Sequence, residues 1–225
     1  MSDVGGRSGA RLDDRVRALA AGFRGEERAL VLAASDRLAA FLSILLEKNA
    51  EMNLVSARSA DPGVLVETHL SDALLGLALL PRPRDSAICL VDLGSGGGFP
   101  AIPLMIVRPD LAGTLVESSR KKAAYLRDAI DRLALTAKAV NARFPDSFPM
   151  VGAPRYDVLT TRAVGSAGKL VRAARSILAP GARALLWTTR PLVTEAVGAS
   201  RAKKHAFYPA PGTDFRGILS LECFT

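Results

Sequence analysis

From residue 88 onward, short apolar runs alternate with stretches in which apolar residues recur every three or four positions. The apolar runs predict strands over residues 88–93, 113–117, 137–141 and 156–160, and the periodic stretches predict helices over 101–107, 119–133 and 166–178. Later strands are expected over 182–188, 203–209 and 215–224, the last two as an antiparallel pair at one end of the sheet. This alternation is typical of an α/β fold with a mostly parallel, doubly wound sheet.

The preceding part of the chain has helical periodicity instead. Residues 1–12 are small and polar, which predicts a mobile tail, and residues 13–84 predict a helical segment that precedes a core over 85–225. We expect a short helix over 13–23, a longer helix opening at Gly25, and another over 64–80 that is closed by Pro81 and Pro83. One apolar stripe should run along the longer helix, through Val31, Ala34, Leu38, Phe41 and Leu45.

The length, composition and net charge of the chain limit which fold classes and partners are expected. The 225 residues, 49% of them hydrophobic, suit one core domain with an extension, and they argue against global disorder. Thirty Lys and Arg against twenty-two Asp and Glu give a net charge of +8, which favours a polyanionic partner, with nucleic acid ahead of a membrane. The alternative is that the charge only aids the solubility of a basic enzyme.

The cysteines and the N-terminus indicate a compartment. Two cysteines, Cys89 and Cys223, suit a reducing environment better than a disulfide framework. The sequence shows neither an apolar signal region nor an apolar run of about 18 residues, so we expect a soluble, cytoplasmic protein without a membrane partner. Metal-ligand spacing of Cys and His is missing from the sequence, so we expect no metal.

A glycine turn after the first predicted strand is the main candidate for a ligand site. It is not a phosphate-binding P-loop, because no Gly-Lys-Ser/Thr follows it. Gly94 and Gly96 roughly fit a dinucleotide site, whereas Asp92, two positions earlier, suits the cationic amino-acid end of S-adenosylmethionine. Glu117, at the end of the next strand, is placed to hold ribose hydroxyls. The remaining alternative is a purely structural turn.

The sequences of several motifs resemble those of the RsmG (GidB) family. Members of that family transfer a methyl group from S-adenosylmethionine to guanine N7 in small-subunit ribosomal RNA. The resemblance covers the chain from about Phe41 to its end. It is carried by Leu93-Gly94-Ser95-Gly96-Gly97-Gly98-Phe99-Pro100, Leu115-Val116-Glu117-Ser118-Ser119-Arg120-Lys121-Lys122-Ala123-Ala124-Tyr125-Leu126, Asn53-Leu54-Val55-Ser56, His69-Leu70-Ser71-Asp72-Ala73-Leu74 and Thr161-Arg162-Ala163-Val164.

The resemblance implies a Rossmann-like methyltransferase fold and particular site residues. Gly94 and Phe99 match cofactor contacts of the family, and Glu117 matches its ribose-binding acid. Phe144 and Pro145 stand where the family contacts the adenine region, and Arg162 matches an arginine near the cofactor and substrate pocket. The implied partner is small-subunit rRNA or the small ribosomal subunit, and we expect a monomer.

The sequence departs from the family pattern at four places. Lys48-Asn49 stands where the family has Trp-Asn, and Ala101 replaces the glycine after Phe-Pro. Pro145 stands where an acidic residue is expected, although Asp146 is adjacent. Trp187-Thr188 replaces a Lys-Gly pair, and this change removes a lysine that could hold RNA phosphate.

Methylation of guanine N7 needs no general base, because N7 carries a free lone pair at neutral pH. The enzyme must align the reacting atoms and stabilise charge, and Arg162 is the best candidate for this catalytic positioning. A structural salt bridge at a strand end is an equally good interpretation of Arg162. His69 and Asp72, three residues apart on one predicted helix, look like an acid–base pair but are more simply structural.

Two cationic groups are candidates for RNA contacts. Arg120, Lys121 and Lys122 open the helix after the second strand, beside the expected cofactor site, and a merely solvated face is the alternative. The N-terminal arginines would add attraction that is independent of RNA sequence, namely Arg7, Arg11, Arg15 and Arg17. Other possible functions are methylation of another RNA or of a small molecule, and an inactive ribosome-binding homologue, which Trp187-Thr188 suggests.

Overall fold

The computed structural model describes residues 5–152, 154–162 and 166–222, with side chains from Leu12 onward. Predictions on Arg7, Arg11, Ala163, Val164 and Cys223 therefore fall outside the described side chains. A seven-stranded sheet forms the centre of the described chain. Its strands are β1 (Ile88–Leu93), β2 (Leu111–Glu117), β3 (Ala137–Asn141), β4 (Tyr156–Arg162), β5 (Leu178–Thr189), β6 (Lys204–Pro209) and β7 (Arg216–Glu222).

The strand order is β3-β2-β1-β4-β5-β7-β6. The first five strands in this order run parallel, while β7 is antiparallel to both β5 and β6. The predicted mostly parallel sheet and the late antiparallel pair are thus confirmed. In the register, Asp92 of β1 lies between Leu115 of β2 and Thr160 of β4. We call the edge at which the parallel strands end the carboxyl edge.

Helices cover both faces of the sheet. The α-helices are α1 (Gly5–Leu19), α2 (Gly25–Ala33), α3 (Ser35–Met52), α4 (Pro62–Val64), α5 (Ser71–Leu74), α6 (Ala101–Val107), α7 (Arg120–Arg132), α8 (Ala167–Ala173) and α9 (Val193–Ser200). On one face lie the N-terminal helices together with α6 and α7, and on the other lie α8 and α9. Because both faces are covered, the central strands are buried on both sides, which explains their nearly continuous apolar sequence.

The N-terminal segment differs from the expectation at two points. Helix α1 begins at Gly5, so residues 5–12 are helical instead of the tail predicted for 1–12; Leu12 and Val16, one turn apart, are both buried. The expected single helix from Gly25 is two helices, with Ala34 as the break and an angle of 58° between them. The hydroxyl of Ser35 donates to the carbonyl of Leu32, which is one way in which serine competes with regular helix bonding.

The predicted helix over 64–80 is a composite. It begins at α4, where Asp61 caps the chain by accepting a hydrogen bond from the backbone N–H of Val64 and Pro62 takes the first helical position. A π-helical stretch, Leu65–Leu70, leads into α5, and a 3₁₀ helix, Leu75–Leu79, ends the run.

Two late elements also differ from the sequence prediction. The helix expected over 166–178 is α8 followed by a 3₁₀ helix, Ala174–Ile177, and α9 was not predicted at all. Gly168 lets these two helices pack closely, because a Cβ atom at that position would collide with the carbonyl oxygen of Ala196. The free Cys89 lies half-buried on β1.

No single described helix is long and apolar enough to cross a membrane. The bent pair α2–α3 taken together is long and apolar enough, by length and composition only. Several apolar side chains of α3 are buried in the core, including Leu38, Phe41 and Leu42.

Replacing Gly168 with Ala should separate α8 from α9, because the new methyl group meets backbone and not a movable side chain. We expect a loss of about 1–3 kcal/mol in the free energy of unfolding, measured by urea denaturation. Gly198→Ala is the matched control in α9, where a Cβ atom meets nothing within 4 Å. It should stabilise the protein by about 0.5–1 kcal/mol through helix propensity. Equal effects of the two changes would contradict the close-packing interpretation.

Candidate active site

The glycine turn follows β1 at the carboxyl edge and folds over the end of β2. The backbone N–H groups of Gly94 and Ser95 both donate to the carbonyl of Val116, at 2.9 and 3.1 Å. Gly94, Gly96 and Gly98 have positive φ angles of 79°, 51° and 91°, and a Cβ atom on Gly98 would lie 2.6 Å from Ile102 Cδ1. The turn therefore depends on glycine for its conformation, and it exposes backbone at the point where a ligand could approach.

Glu117 joins this turn to the turn after β2. Its Oε2 accepts a hydrogen bond from the N–H of Gly96 at 2.9 Å, and its Oε1 accepts one from the N–H of Ser119 at 2.7 Å. Oε1 also accepts a long hydrogen bond, 3.5 Å, from the hydroxyl of Ser118. The side chain is buried, yet Oε2 retains capacity for a further donor. The structure thus brings two predicted cofactor contacts, Gly96 and Glu117, into direct contact, and it adds a structural role for the acid.

Asp92 is enclosed at the end of β1. Thr160 Oγ1 donates to Asp92 Oδ1 at 2.7 Å, and Ser95 Oγ donates to the Asp92 carbonyl at 3.1 Å. Asp92 Oδ2 is buried and has no hydrogen-bond partner among the described residues. Burial raises the pKa of Asp92 from 3.8 to about 7. An unpaired buried carboxylate oxygen beside a glycine turn fits the ammonium group of an amino-acid ligand.

Phe99 packs differently from the expected cofactor contact. Its ring is buried against Phe41 and His69, with ring centroids 5.2 and 5.5 Å apart. The guanidinium carbon of Arg162 lies 5.9 Å from the centroid of the same ring. The aromatic ring therefore supports Arg162, and the backbone of Phe99 is the part that remains for a cofactor contact.

A cavity of about 380 Å³ opens at the carboxyl edge beside Arg162. It is formed by the ends of β4 and β5, the start of β7, α5 and neighbouring loops. Its lining residues are Asp72, Leu75, Thr161, Arg162, Ala167, Trp187, Thr188, Thr189, Leu192, Ala210, Arg216, Gly217 and Ile218. Among them Arg216 and Ile218 were not predicted as site residues, because only the antiparallel return of β7 brings them to this edge.

Arg162 ends β4 in an unusual state for an arginine. Its Nη1 is buried and has no hydrogen-bond partner among the described residues, and burial lowers its pKa. The described residues include no salt-bridge partner for this side chain, so the interpretation as a structural salt bridge finds no support there. A buried donor that faces a cavity is well suited to bind a ligand.

The helical segment contributes His69 and Asp72 to this region. Burial, followed by the charges of Arg162 and Arg216, lowers the pKa of His69 to about 4, so the imidazole is neutral at pH 7. Asp72 Oδ2 lies 3.3 Å from Arg216 Nη1, and burial raises the pKa of Asp72 while the two arginines oppose that shift. The described contacts of His69 and Asp72 are with other residues, so the structure does not support an acid–base pair.

Three of the four departures from the family pattern lie in the helical segment, at the start of α6 and on β5. Lys48 Nζ lies 3.8 Å from both Glu47 and Glu51 on α3, and Ala101 is buried at the start of α6. Trp187 is largely buried, and its Nε1 donates to the carbonyl of Asp72 at 2.7 Å, so it joins β5 to the helical segment. Thr188 lines the cavity.

Residues 142–148 form the loop after β3. Phe144 is half-buried with its ring 5.5 Å from that of Phe148, and Pro145 is exposed. Asn141 Nδ2 donates to the carbonyls of Glu117 and Ser118, which ties the end of β3 to the turn that holds Glu117.

The predicted RNA-contacting residues open α7. Arg120 and Lys121 are exposed and Lys122 is half-buried, with Ser119 as the N-cap. In α1, Arg15 pairs with Glu67 at 3.6 Å and Arg17 pairs with Asp36 at 2.9 Å, so neither cation is as free as the sequence suggested. No group of three or more His, Cys, Asp or Glu among the described residues is placed to hold a metal ion.

Comparison with known proteins decides the family. The family described as GidB, rRNA small subunit methyltransferase G, matches residues 34–205, which is more than half of the chain. The chain belongs to this family. The resemblance that the motifs suggested is thereby confirmed, and the GidB match includes β1 to β5 and the glycine turn.

Two curated relatives illustrate the similarity within the GidB family. The chain is 38% identical over 144 residues to the ribosomal RNA small subunit methyltransferase G of Acidiphilium cryptum strain JF-5, covering 64% of this chain and 63% of that protein. It is 40% identical over 141 residues to the protein of the same name from Stenotrophomonas maltophilia strain K279a, covering 63% and 62%. The match thus spans somewhat less than two thirds of the length of these relatives.

Solved structures confirm the Rossmann-like methyltransferase fold. A methyltransferase from Pyrococcus furiosus superposes with a TM-score of 0.59 at 15% identity, covering 85% of this chain and 100% of that chain. The precorrin-6y C5,15-methyltransferase from Geobacter metallireducens GS-15 gives 0.52 at 16% identity, covering 66% and 86%. At these identities the similarity concerns the fold alone.

Asp92 gives a prediction for pH dependence. Because its pKa is raised in the folded state, the folded protein holds a proton that the unfolded chain releases above pH 4. Its contribution to stability is therefore complete below about pH 4 and is lost as the pH rises to about 7. An asparagine side chain does not titrate, so Asp92→Asn should be increasingly stabilising, relative to wild type, over this window. The difference should grow by up to about 4 kcal/mol, at about 1.4 kcal/mol per pKa unit.

The measurement is urea unfolding of both proteins at several pH values between 4 and 8. Taking the difference between the two proteins cancels the titration of other groups, such as His69, that both contain. A difference that stays constant over this pH range would show that Asp92 ionises in the folded protein as it does in the unfolded chain.

Proposed function

We propose that the protein transfers a methyl group from S-adenosylmethionine to guanine N7 of small-subunit ribosomal RNA. The observation that carries this proposal is a glycine turn, closed onto Glu117, beside a cavity that contains a buried, unbonded arginine nitrogen. Both lie at the carboxyl edge, where ligands bind in open α/β sheets. Membership of the GidB family and the names of the relatives support the same activity.

The described residues fit the cofactor. Gly94 and Gly96 give backbone access, Glu117 has carboxylate capacity for ribose hydroxyls, and Asp92 Oδ2 suits the ammonium group. The loop that contains Phe144 and Pro145 is tied to the Glu117 turn through Asn141, which suits a contact with adenine. When bound, S-adenosylmethionine supplies an electrophilic methyl group.

The cavity fits a nucleobase as the methyl acceptor. Leu75, Trp187 and Ile218 provide apolar surface for a flat ring, and Arg162 and Arg216 provide charge for a phosphate or a carbonyl group. Guanine N7 needs no base, and the site agrees, because His69 is neutral and its pKa of about 4 makes it a weak base. The protein's task is then to position the base and to exclude water.

The RNA partner is supported by charge. The net charge of +8 and the exposed Arg120 and Lys121 at the carboxyl edge favour a polyanion. We propose that these side chains and Lys122 contact phosphates of small-subunit rRNA, either free or within the small subunit, and that the protein acts as a cytoplasmic monomer.

Calorimetric titration with S-adenosylmethionine, followed by transfer of a labelled methyl group to small-subunit rRNA, tests the proposal. We expect cofactor binding, and label that is recovered at guanine N7. Binding without transfer to this RNA would favour another acceptor or the ribosome-binding homologue that Trp187-Thr188 suggested. Failure to bind the cofactor would contradict the assignment of the glycine turn.

Arg162→Ala should lower the rate of methyl transfer by about 100-fold or more, because an electrostatic contact in a closed site is lost. Arg82→Ala is the matched control, since Arg82 is exposed in the loop that precedes β1, at the opposite edge of the sheet. Urea unfolding and cofactor titration of both variants distinguish an effect on the rate of methyl transfer from effects on protein stability and on cofactor affinity. Equal transfer rates in the two variants would make Arg162 a structural residue.

A further inference from the structure

The nucleophilic atom N7 alone does not explain why the enzyme would methylate guanine and not adenine. Adenine and guanine both carry N7 with a free lone pair, so alignment of N7 alone does not distinguish them. The bases differ at C6, where guanine has a carbonyl group and adenine an amine, and at N1 and C2 on the Watson–Crick edge, where guanine offers two N–H donors while adenine offers an acceptor at N1. A group that reads this edge should accept hydrogen bonds and should repel a lone pair.

Asp72 is the carboxylate that lines the cavity. Its side chain is 15% exposed, and its position is fixed twice: Arg216 Nη1 lies 3.3 Å from Oδ2, and Trp187 Nε1 donates to its backbone carbonyl at 2.7 Å. The ion pair uses one acceptor site of Oδ2, which leaves Oδ1 and the second site of Oδ2 for two ligand donors. An ionised carboxylate only accepts hydrogen bonds, and the pairing with Arg216 favours the ionised form of Asp72. This form matches guanine and rejects the N1 lone pair of adenine.

Arg162 and Asp72 line the same cavity. They lie close enough for the charge of each to oppose the shift that burial causes in the pKa of the other. A purine held in this cavity therefore lies within reach of both side chains.

We propose that the Asp72 carboxylate accepts hydrogen bonds from N1–H and the N2 amine of the target guanine and thereby selects guanine over adenine. This inference rests on the proposed methyl transfer to guanine N7. Arg216 positions the carboxylate of Asp72, and Trp187 holds its backbone carbonyl. Asp72 and the Watson–Crick edge of the target guanine both lie outside the cofactor site around Glu117.

The same contact should also assist the reaction. Methylation at N7 moves the positive charge from sulfur to the base, with no proton released, and this charge makes the N1–H group a stronger donor. A hydrogen bond to Asp72 would therefore be stronger in the transition state than in the ground state, and it would raise kcat as well as affinity. Purely structural pairing with Arg216 predicts no such selectivity between bases.

The test compares guanosine with inosine, which keeps N1–H and N7 but lacks the N2 amine. The probe is small-subunit rRNA assembled by splinted ligation, with guanosine or inosine at the nucleotide that the wild-type reaction methylates. Wild type should methylate the inosine RNA about 10- to 100-fold more slowly in kcat/KM, because one charge-assisted hydrogen bond is lost. Asp72→Asn should methylate the guanosine RNA about 100-fold more slowly, mainly in kcat, with little difference between the two RNAs.

Arg216→Gln is the matched control, because it removes the ion pair but keeps the carboxylate. It should lower the rate yet retain a preference for guanosine. Cofactor titration and urea unfolding verify that each variant is folded and binds the cofactor. A wild-type guanosine preference in Asp72→Asn would overturn the proposal while leaving the proposed function intact. Absence of transfer by wild type to either RNA would instead overturn the proposed function, and this inference with it.

Discussion

The carboxylate of Glu117 is the interaction on which the carboxyl edge depends. It receives the N–H of Gly96 from one turn and the N–H of Ser119 from the next, and the carbonyl of Glu117 receives Asn141 from the end of β3. Three adjacent chain connections are thus held by one residue. Without the carboxylate, two partly buried donors would lose their acceptor, which costs more than a hydrogen bond normally contributes.

Near Glu117 the protein buries charged groups without a hydrogen-bond partner, and this lowers the stability of the protein before a ligand binds. Asp92 has a buried oxygen without a partner, Arg162 has a buried nitrogen without a partner, and burial shifts the pKa of each towards its neutral form. A sequence selected only for stability would replace or pair such groups. Their retention on adjacent strands, β1 and β4, agrees with a site whose electrostatics are organised in advance for a charged ligand.

The sequence predicted the sheet well because parallel strands buried on both faces are continuous apolar runs, as in β1. It also assigned the glycine turn and Glu117 to one ligand site, since both follow strand ends that the parallel order makes adjacent, but it did not predict the hydrogen bond between Gly96 and Glu117. It did not predict the break at Ala34, because alanine is a good helix former and the bend depends on packing. Nor did it predict Arg216 in the cavity, because a strand pairing far along the chain places it there.

The contact between Gly76 and Trp187 has a consequence for relatives of this chain. A Cβ atom at position 76 would lie 2.8 Å from Cζ2 of the indole, so the two side chains compete for one volume. A bulky aromatic residue at 187 requires glycine at 76, whereas a slimmer residue at 187 leaves room for alanine or serine there. The two positions should therefore vary together among homologues, although 111 residues of chain separate them.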